Sequence, residues 1–162
     1  MPQVLVNNAG LHCELLPIAE TTPEAWMQTF QVNVFGPYLI CRAFLTGMMA
    51  LGWGRVINVS SAASLGEPTH IGSVYQLSKV TLNHFTRQLA VEVDGSGVTA
   101  NAIHPGEVQT EMWAAIKAMP RVEPAWDEML CSGQAWSKRA EVIRPKKPPT
   151  WCSGSLRPIT TM

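Results

Sequence analysis

Tyr75 and Lys79 stand four residues apart in a stretch of helical character, so their side chains leave one helix face a turn apart. A free tyrosine loses its proton near about pH 10. A lysine ammonium close by favours the phenolate and lowers that value. A tyrosine tuned in this way can donate or accept a proton near neutral pH. Ser60 and Ser61 close the apolar run Arg55 to Val59, and Ser61 is placed to hydrogen-bond a substrate oxygen. The same Y-x-x-x-K spacing also suits a solvated lysine beside a half-buried tyrosine. No G-x-S-x-G elbow surrounds the serines, which argues against an esterase.

Positioning such a set requires strands that end together and helices that return between them. Val4 to Asn8 reads as a buried strand emptying into Ala9-Gly10. Thr22 reads as an N-cap, Pro23 as the first helical residue and Glu24 as a first-turn acid. That helix continues through Trp26, Phe30, Val34, Tyr38 and Leu45 toward Gly52, with a kink expected at Pro37. Arg55 to Val59 makes a second strand, and a loop with Gly66, Pro68 and Gly72 leads into a helix from about Ser73 to Val93. Asp94 to Gly97 ends it, and Val98 to Ile103 makes a third strand running into His104-Pro105-Gly106. Alternation of this kind predicts an α/β fold: a parallel sheet with crossover helices on both faces. Ligands of such sheets sit off the carboxyl ends of the strands, where Asn7 to Gly10, Ser60-Ser61 and Pro105-Gly106 converge. From about Met112 to Arg144 the chain reads as helices and loops carrying Trp113, Met119, Trp126 and Trp136. Residues 1–145 are read as one domain, and 146–162 as an irregular, unfolded tail.

Composition narrows the function classes. The 12 Lys+Arg balance 12 Asp+Glu, so no basic footprint points to nucleic acid. Apolar residues make up 46%, ordinary for a globular protein, while charged residues are only 15%, so one face expects a partner or more chain. Cys13, Cys41, Cys131 and Cys152 have no zinc-ligand spacing, and no metal is expected. The start has no basic n-region or long apolar h-region, so the expected setting is reducing and cytoplasmic. Val34 to Trp53 is long enough to span a bilayer, but Arg42 near its middle and the Gly36-Pro37 pair favour a partly buried helix, with no membrane. His70, His84 and His104 are read as structural. Asn58-Val59-Ser60 is formally a glycosylation sequon, but it falls on an expected buried strand and is discounted.

Five signatures occur in one order: NNAG after an apolar strand, Asn33 in N-V-F-G, the Ser60-Ser61 pair, Tyr75-Gln-Leu-Ser-Lys79, and PGEVQT after a third strand. Together, over roughly residues 3 to 113, they resemble the short-chain dehydrogenase/reductase family, whose Rossmann-like fold is a doubly wound, three-layer α/β/α sandwich. The resemblance implies an oxidoreductase that uses NAD or NADP to interconvert a small alcohol and a carbonyl. Tyr75 would be the general acid/base, Ser61 would orient and polarise the reacting oxygen, and Lys79 would lower the pKa of Tyr75 and bind the nicotinamide ribose. Asn33 would hold a water behind Lys79. Asn7, Ala9 and Gly10 would line the cofactor cleft and stabilise the sheet. Pro105, Gly106, Val108 and Thr110 would contact the nicotinamide end. Leu11 to Leu16, the loop after Ser61 and the segment from Met112 would shape a substrate pocket with apolar content.

The family's glycine-rich T-G-x-x-x-G-x-G turn has no counterpart here, so the expected architecture is a truncated sheet starting at the family's fourth strand. Val4 to Asn8 would then form a bare apolar edge, and the chain alone would hold a dinucleotide poorly. The alternative function is accordingly a non-catalytic fragment pairing with a full-length relative; in full-length form the family resemblance implies a homo-oligomer. The tail does not resemble the family's last strand. Reading the codons of residues 146–162 from their third letters, with permitted wobble choices, gives E-A-A-D-L-V-L-W-L-A-S-T-D-Y-D-D, which does, so an out-of-frame tail is also expected.

Overall fold

The computed structural model describes residues 1–13, 15–105, 108–118 and 141–143. Strands β1 (Val4–Asn7), β2 (Gly54–Val59) and β3 (Val98–His104) pair in parallel, Val4 opposite Arg55 and Gly54 opposite Val98. The parallel α/β architecture is therefore the one expected. A fourth strand, β4 (Glu141–Ile143), pairs antiparallel with Ala102 to His104 and gives the order β1-β2-β3-β4. It was not expected: three residues carry no readable period, and an antiparallel edge on a parallel sheet is common. Met119, Trp126, Trp136 and the tail from 146 lie outside the described residues.

Thr22 caps α1 (Pro23–Phe30), its hydroxyl accepting from Ala25 N at 3.2 Å. The helix then widens into a π turn (Gln31–Phe35) before α2 (Gly36–Ala50). The irregularity thus precedes Pro37 and replaces the expected kink. In a regular α-helix the Pro37 ring would press on the Asn33 carbonyl; here the register shifts, and Gly36 N–H reaches back to Gln31 O. By length and composition Pro23–Ala50 could cross a membrane. In this fold Thr29, Asn33, Pro37, Cys41 and Met48 form its buried face.

Helix α3 (Ser73–Glu92) buries Val74, Ser78, Lys79, Leu82, Asn83, Thr86 and Leu89, the i, i+4 stripe of a helix laid on a sheet. The main core joins Cys41 and Met48 of α2 and Leu89 of α3 to Val56, Val98 and Ala100 of the sheet. Both crossover helices therefore cover one face. Successive right-handed crossovers in the same direction require this. Val4 and Val6 on the opposite face are about half exposed, which corrects the expectation of a strand buried on both sides. β1 is an edge of the sheet, as expected. Gly97 (φ +79°) lets the turn before β3 touch the one before β2, since a Cβ there would lie 1.9 Å from Gly52 O. The parallel pairing brings the three strands to a common carboxyl end.

Candidate active site

A cavity of about 490 Å³ opens at that end. The loop after β1 contributes Asn8, Ala9, Gly10 and His12; the loop after β2, Ser60 and Ser61; α3, Tyr75 and Lys79; and the chain beyond β3, Pro105, Val108 and Thr110. The three expected loops therefore meet around the Tyr75–Lys79 pair. Leu15, Ile71 and Ile116, with Met112 and Trp113 against them, make an apolar wall. The short helix α4 (Glu111–Ala118) supplies part of it, its N-terminus capped by Thr110 Oγ1 accepting from Trp113 N at 3.2 Å. Gly72, at φ +76°, starts α3 where any Cβ would strike Leu15, and its N–H donates to Leu16 O. The loop after β1 is thus tied to the start of the Tyr75 helix.

Lys79 is only 3% exposed, which disposes of the solvated-lysine alternative. Its ammonium donates to Val59 O at 3.0 Å and lies 5.7 Å from the Tyr75 ring centroid. Burial lowers its pKa from 10.5 to about 8. Tyr75 runs against expectation: its pKa is raised, because burial outweighs the opposing hydrogen bond with the Ser61 side chain. The phenol is therefore protonated at neutral pH. The Lys79 ammonium is turned to the β2 carbonyl.

The two serines separate cleanly. Ser60 is buried, and its hydroxyl faces Ser64 Oγ and the Lys79 carbonyl. Ser61 is half-buried; its hydroxyl meets Tyr75 and accepts from Ala63 N at the head of a 3₁₀ turn. His104 holds the Ser61 carbonyl through Nδ1 at 2.7 Å, a structural role as expected, while His70 and His84 are exposed.

Asn33, fully buried in the π turn, stands behind the cavity. Its Oδ1 accepts from Leu11 N at 2.7 Å, and its Nδ2 donates to Leu11 O and Ser78 Oγ, each at 2.9 Å. Gly10 lies between them and leaves that space open, since a Cβ there would sit 3.4 Å from Lys79 Nζ and 3.8 Å from Asn33 Oδ1. Asn7 does not reach the cavity wall. Its Nδ2 donates to Asn58 Oδ1 at 2.8 Å, so of its two expected roles the structure keeps the stabilisation of the sheet. Gly106 lies outside the described residues. Asn8 and His12 lie in the stretches Asn7 to Gly10 and Leu11 to Leu16 expected at the site, though neither residue is singled out by the sequence. Asn8 was legible as the second asparagine of the pair at a strand's carboxyl end, whereas His12 has no spacing signature.

The short chain dehydrogenase family profile matches residues 3–121. A short chain dehydrogenase of Monascus purpureus is 41% identical over 110 residues, 67% of this chain and 37% of the relative. A galactitol 2-dehydrogenase (L-tagatose-forming) of Cereibacter sphaeroides is 36% identical over 132 residues, 81% of this chain and 52% of the relative. Among solved structures, a gluconate 5-dehydrogenase of Burkholderia cenocepacia in complex with NADP and tartrate aligns with TM-score 0.68 at 28% identity, covering 80% of this chain and 49% of that one. A blue fluorescent protein from a metagenomic library, in complex with NADPH, aligns with TM-score 0.63 at 35% identity, covering 68% and 43%. The chain thus spans about half or less of the length of these relatives. With its parallel sheet and the profile running through β1, β2, α3 and β3, the chain belongs to the short-chain dehydrogenase/reductase family.

Proposed function

We propose that this chain carries the reacting half of an NAD(P)-dependent oxidoreductase that interconverts a small alcohol and a carbonyl by hydride transfer. The observation that carries the reading is Tyr75 and Ser61 lining one cavity, with the buried Lys79 one helical turn behind Tyr75. In the reductive direction the protonated Tyr75 gives its proton to the carbonyl oxygen, and Ser61 holds that oxygen in line. In the oxidative direction Tyr75 must first lose its proton. Its raised pKa therefore favours reduction at neutral pH and makes alcohol oxidation climb as pH rises.

The residues fit the nicotinamide end of NAD or NADP. Gly10 leaves open the space beside Lys79, and the Lys79 ammonium spends one of its three donors on Val59 O. Ala9, Gly10, Lys79, Pro105, Val108 and Thr110 would hold that end, with Gly106 by resemblance. A bound nicotinamide would supply or receive the hydride. Asn33, locked to Leu11, would steady the loop behind Lys79. The apolar wall suits a substrate with a hydrophobic body, in keeping with the expected pocket. A cytoplasmic homo-oligomer belongs to the same proposal, supported by the exposed Tyr38, Leu39 and Ile40 and by Cys41, a buried thiol that takes a contact from Asn7.

Oxidation of NADH or NADPH by the purified chain, across a panel of hydrophobic ketones, tests this. Tyr75→Phe should lower kcat by about 10²–10⁴-fold with its melting transition unchanged. A variant as fast as the native protein would contradict the role of Tyr75. Failure of the native chain to bind either nucleotide would favour the non-catalytic alternative.

A further inference from the structure

His12 stacks on Tyr75, ring centroids 4.6 Å apart at 38°, and forms part of the cavity wall. Its Nδ1 faces the Cys13 carbonyl oxygen. That oxygen can only accept, so Nδ1 carries the ring proton, and in the neutral imidazole Nε2 is left as an acceptor. Burial lowers the His12 pKa and keeps the ring neutral. Among the described residues no donor reaches Nε2. The cavity therefore presents the Tyr75–Ser61 pair, a bare acceptor one ring-stack away, and the apolar wall of Leu15, Ile71 and Ile116.

We infer that His12 Nε2 accepts a hydrogen bond from a second hydroxyl of the substrate, on the carbon next to the reacting one, so that the site takes vicinal diols and α-hydroxyketones with an apolar body. This rests on reading the cavity as an alcohol/carbonyl site. A neutral acceptor has nothing to offer a methyl or methylene in that place, and it repels a carboxylate or a second carbonyl. A hydroxyl farther along the substrate would face Leu15 and Ile71 and lose its water without a partner.

Two probes that differ by the one hydroxyl test it without turnover: styrene glycol and 1-phenylethanol, titrated into the full chain while the His12 ring resonances are followed. The native protein should bind the diol about five- to tenfold more tightly, the worth of one hydrogen bond. His12→Phe keeps the aromatic stack and should bind both probes alike. His12→Gln, whose amide oxygen is again an acceptor, should restore part of the preference; both variants are compared by their amide spectra with the native fold. Tyr75→Phe should weaken both probes and leave their ratio unchanged. Equal binding of the two probes by the native protein, or a preference that survives in His12→Phe, would overturn this inference and leave the site reading intact. If neither probe bound, the site reading and this inference would fall together.

Discussion

Two buried polar groups lie on the same three segments of this chain and have opposite characters. In the seam under the sheet, Asn7 donates to Asn58 at 2.8 Å, Asn58 to Thr86 at 2.8 Å, and Thr86 to Leu82 O at 2.7 Å. Three residues onward from Asn7 and Asn58, and two helical turns back from Thr86, the cavity gathers Gly10, Ser61 and Lys79. The seam is made of neutral side chains that satisfy one another. The cavity is made of titratable ones whose equilibria burial displaces: Lys79 and His12 downward, Tyr75 upward. Burial alone does not mark a site. Polar groups that spend themselves on each other stabilise, and those left in tension with their surroundings are poised for a ligand.

The sharpest break between the two regions should come from Asn58→Ala. It leaves Asn7 Nδ2 only its long contact with Cys41 Sγ and removes the donor to Thr86 at the centre of the core, which should cost about 3–4 kcal/mol in a urea melt. A loss below about 1 kcal/mol would mean that the seam does not stabilise the sheet. Within the cavity, Ser61→Ala should slow the reaction by about 10²-fold while leaving the melt in place. If stability fell and the rate held, Ser61 would belong with the seam.

Lys79 inverts the usual sign. Its folded pKa lies below its unfolded value, so below about pH 8 both states carry the proton and folding bears the full cost of burying a charge. Between pH 8 and 10 the unfolded chain binds more protons than the folded one. Stability should therefore rise with pH by about 2 kcal/mol over that window. Lys79→Met should gain about 2 kcal/mol at neutral pH, flatten that slope and abolish activity. Its neighbour gives the smallest effect: Ser60→Ala should cost about 1 kcal/mol with the rate nearly unchanged, the reverse of Ser61→Ala.

The difference between the regions also decides how much could be read from the chain. Tyr75 and Lys79 were legible because a helix fixes the relation between positions four apart, and Ser61 because it follows a strand whose end was plain. Asn7 reads as a residue of the cofactor cleft as well as of the sheet, because an asparagine at a strand end suits either. Only the partner across β2 decides, and Asn58 lies 51 residues away. The direction of the Tyr75 shift was missed for a related reason. Spacing shows that a lysine is near, while the burial that raises the phenol comes from other elements packed around it. The π turn depends on a backbone bond from Gly36 to Gln31 that no side-chain pattern announces. His12 depends on a loop tied down through Leu16 and Gly72, so its stack on Tyr75 exists only in three dimensions.

The claim on which the comparison rests is that the cavity holds a cation the fold has not neutralised. Titration of the Lys79 Cε resonance in isotope-labelled protein, assigned with Lys79→Met, reads it directly. A midpoint near 8 is expected; one at the ordinary lysine value of 10.5 would show a solvated or charge-paired side chain and contradict an unneutralised cation.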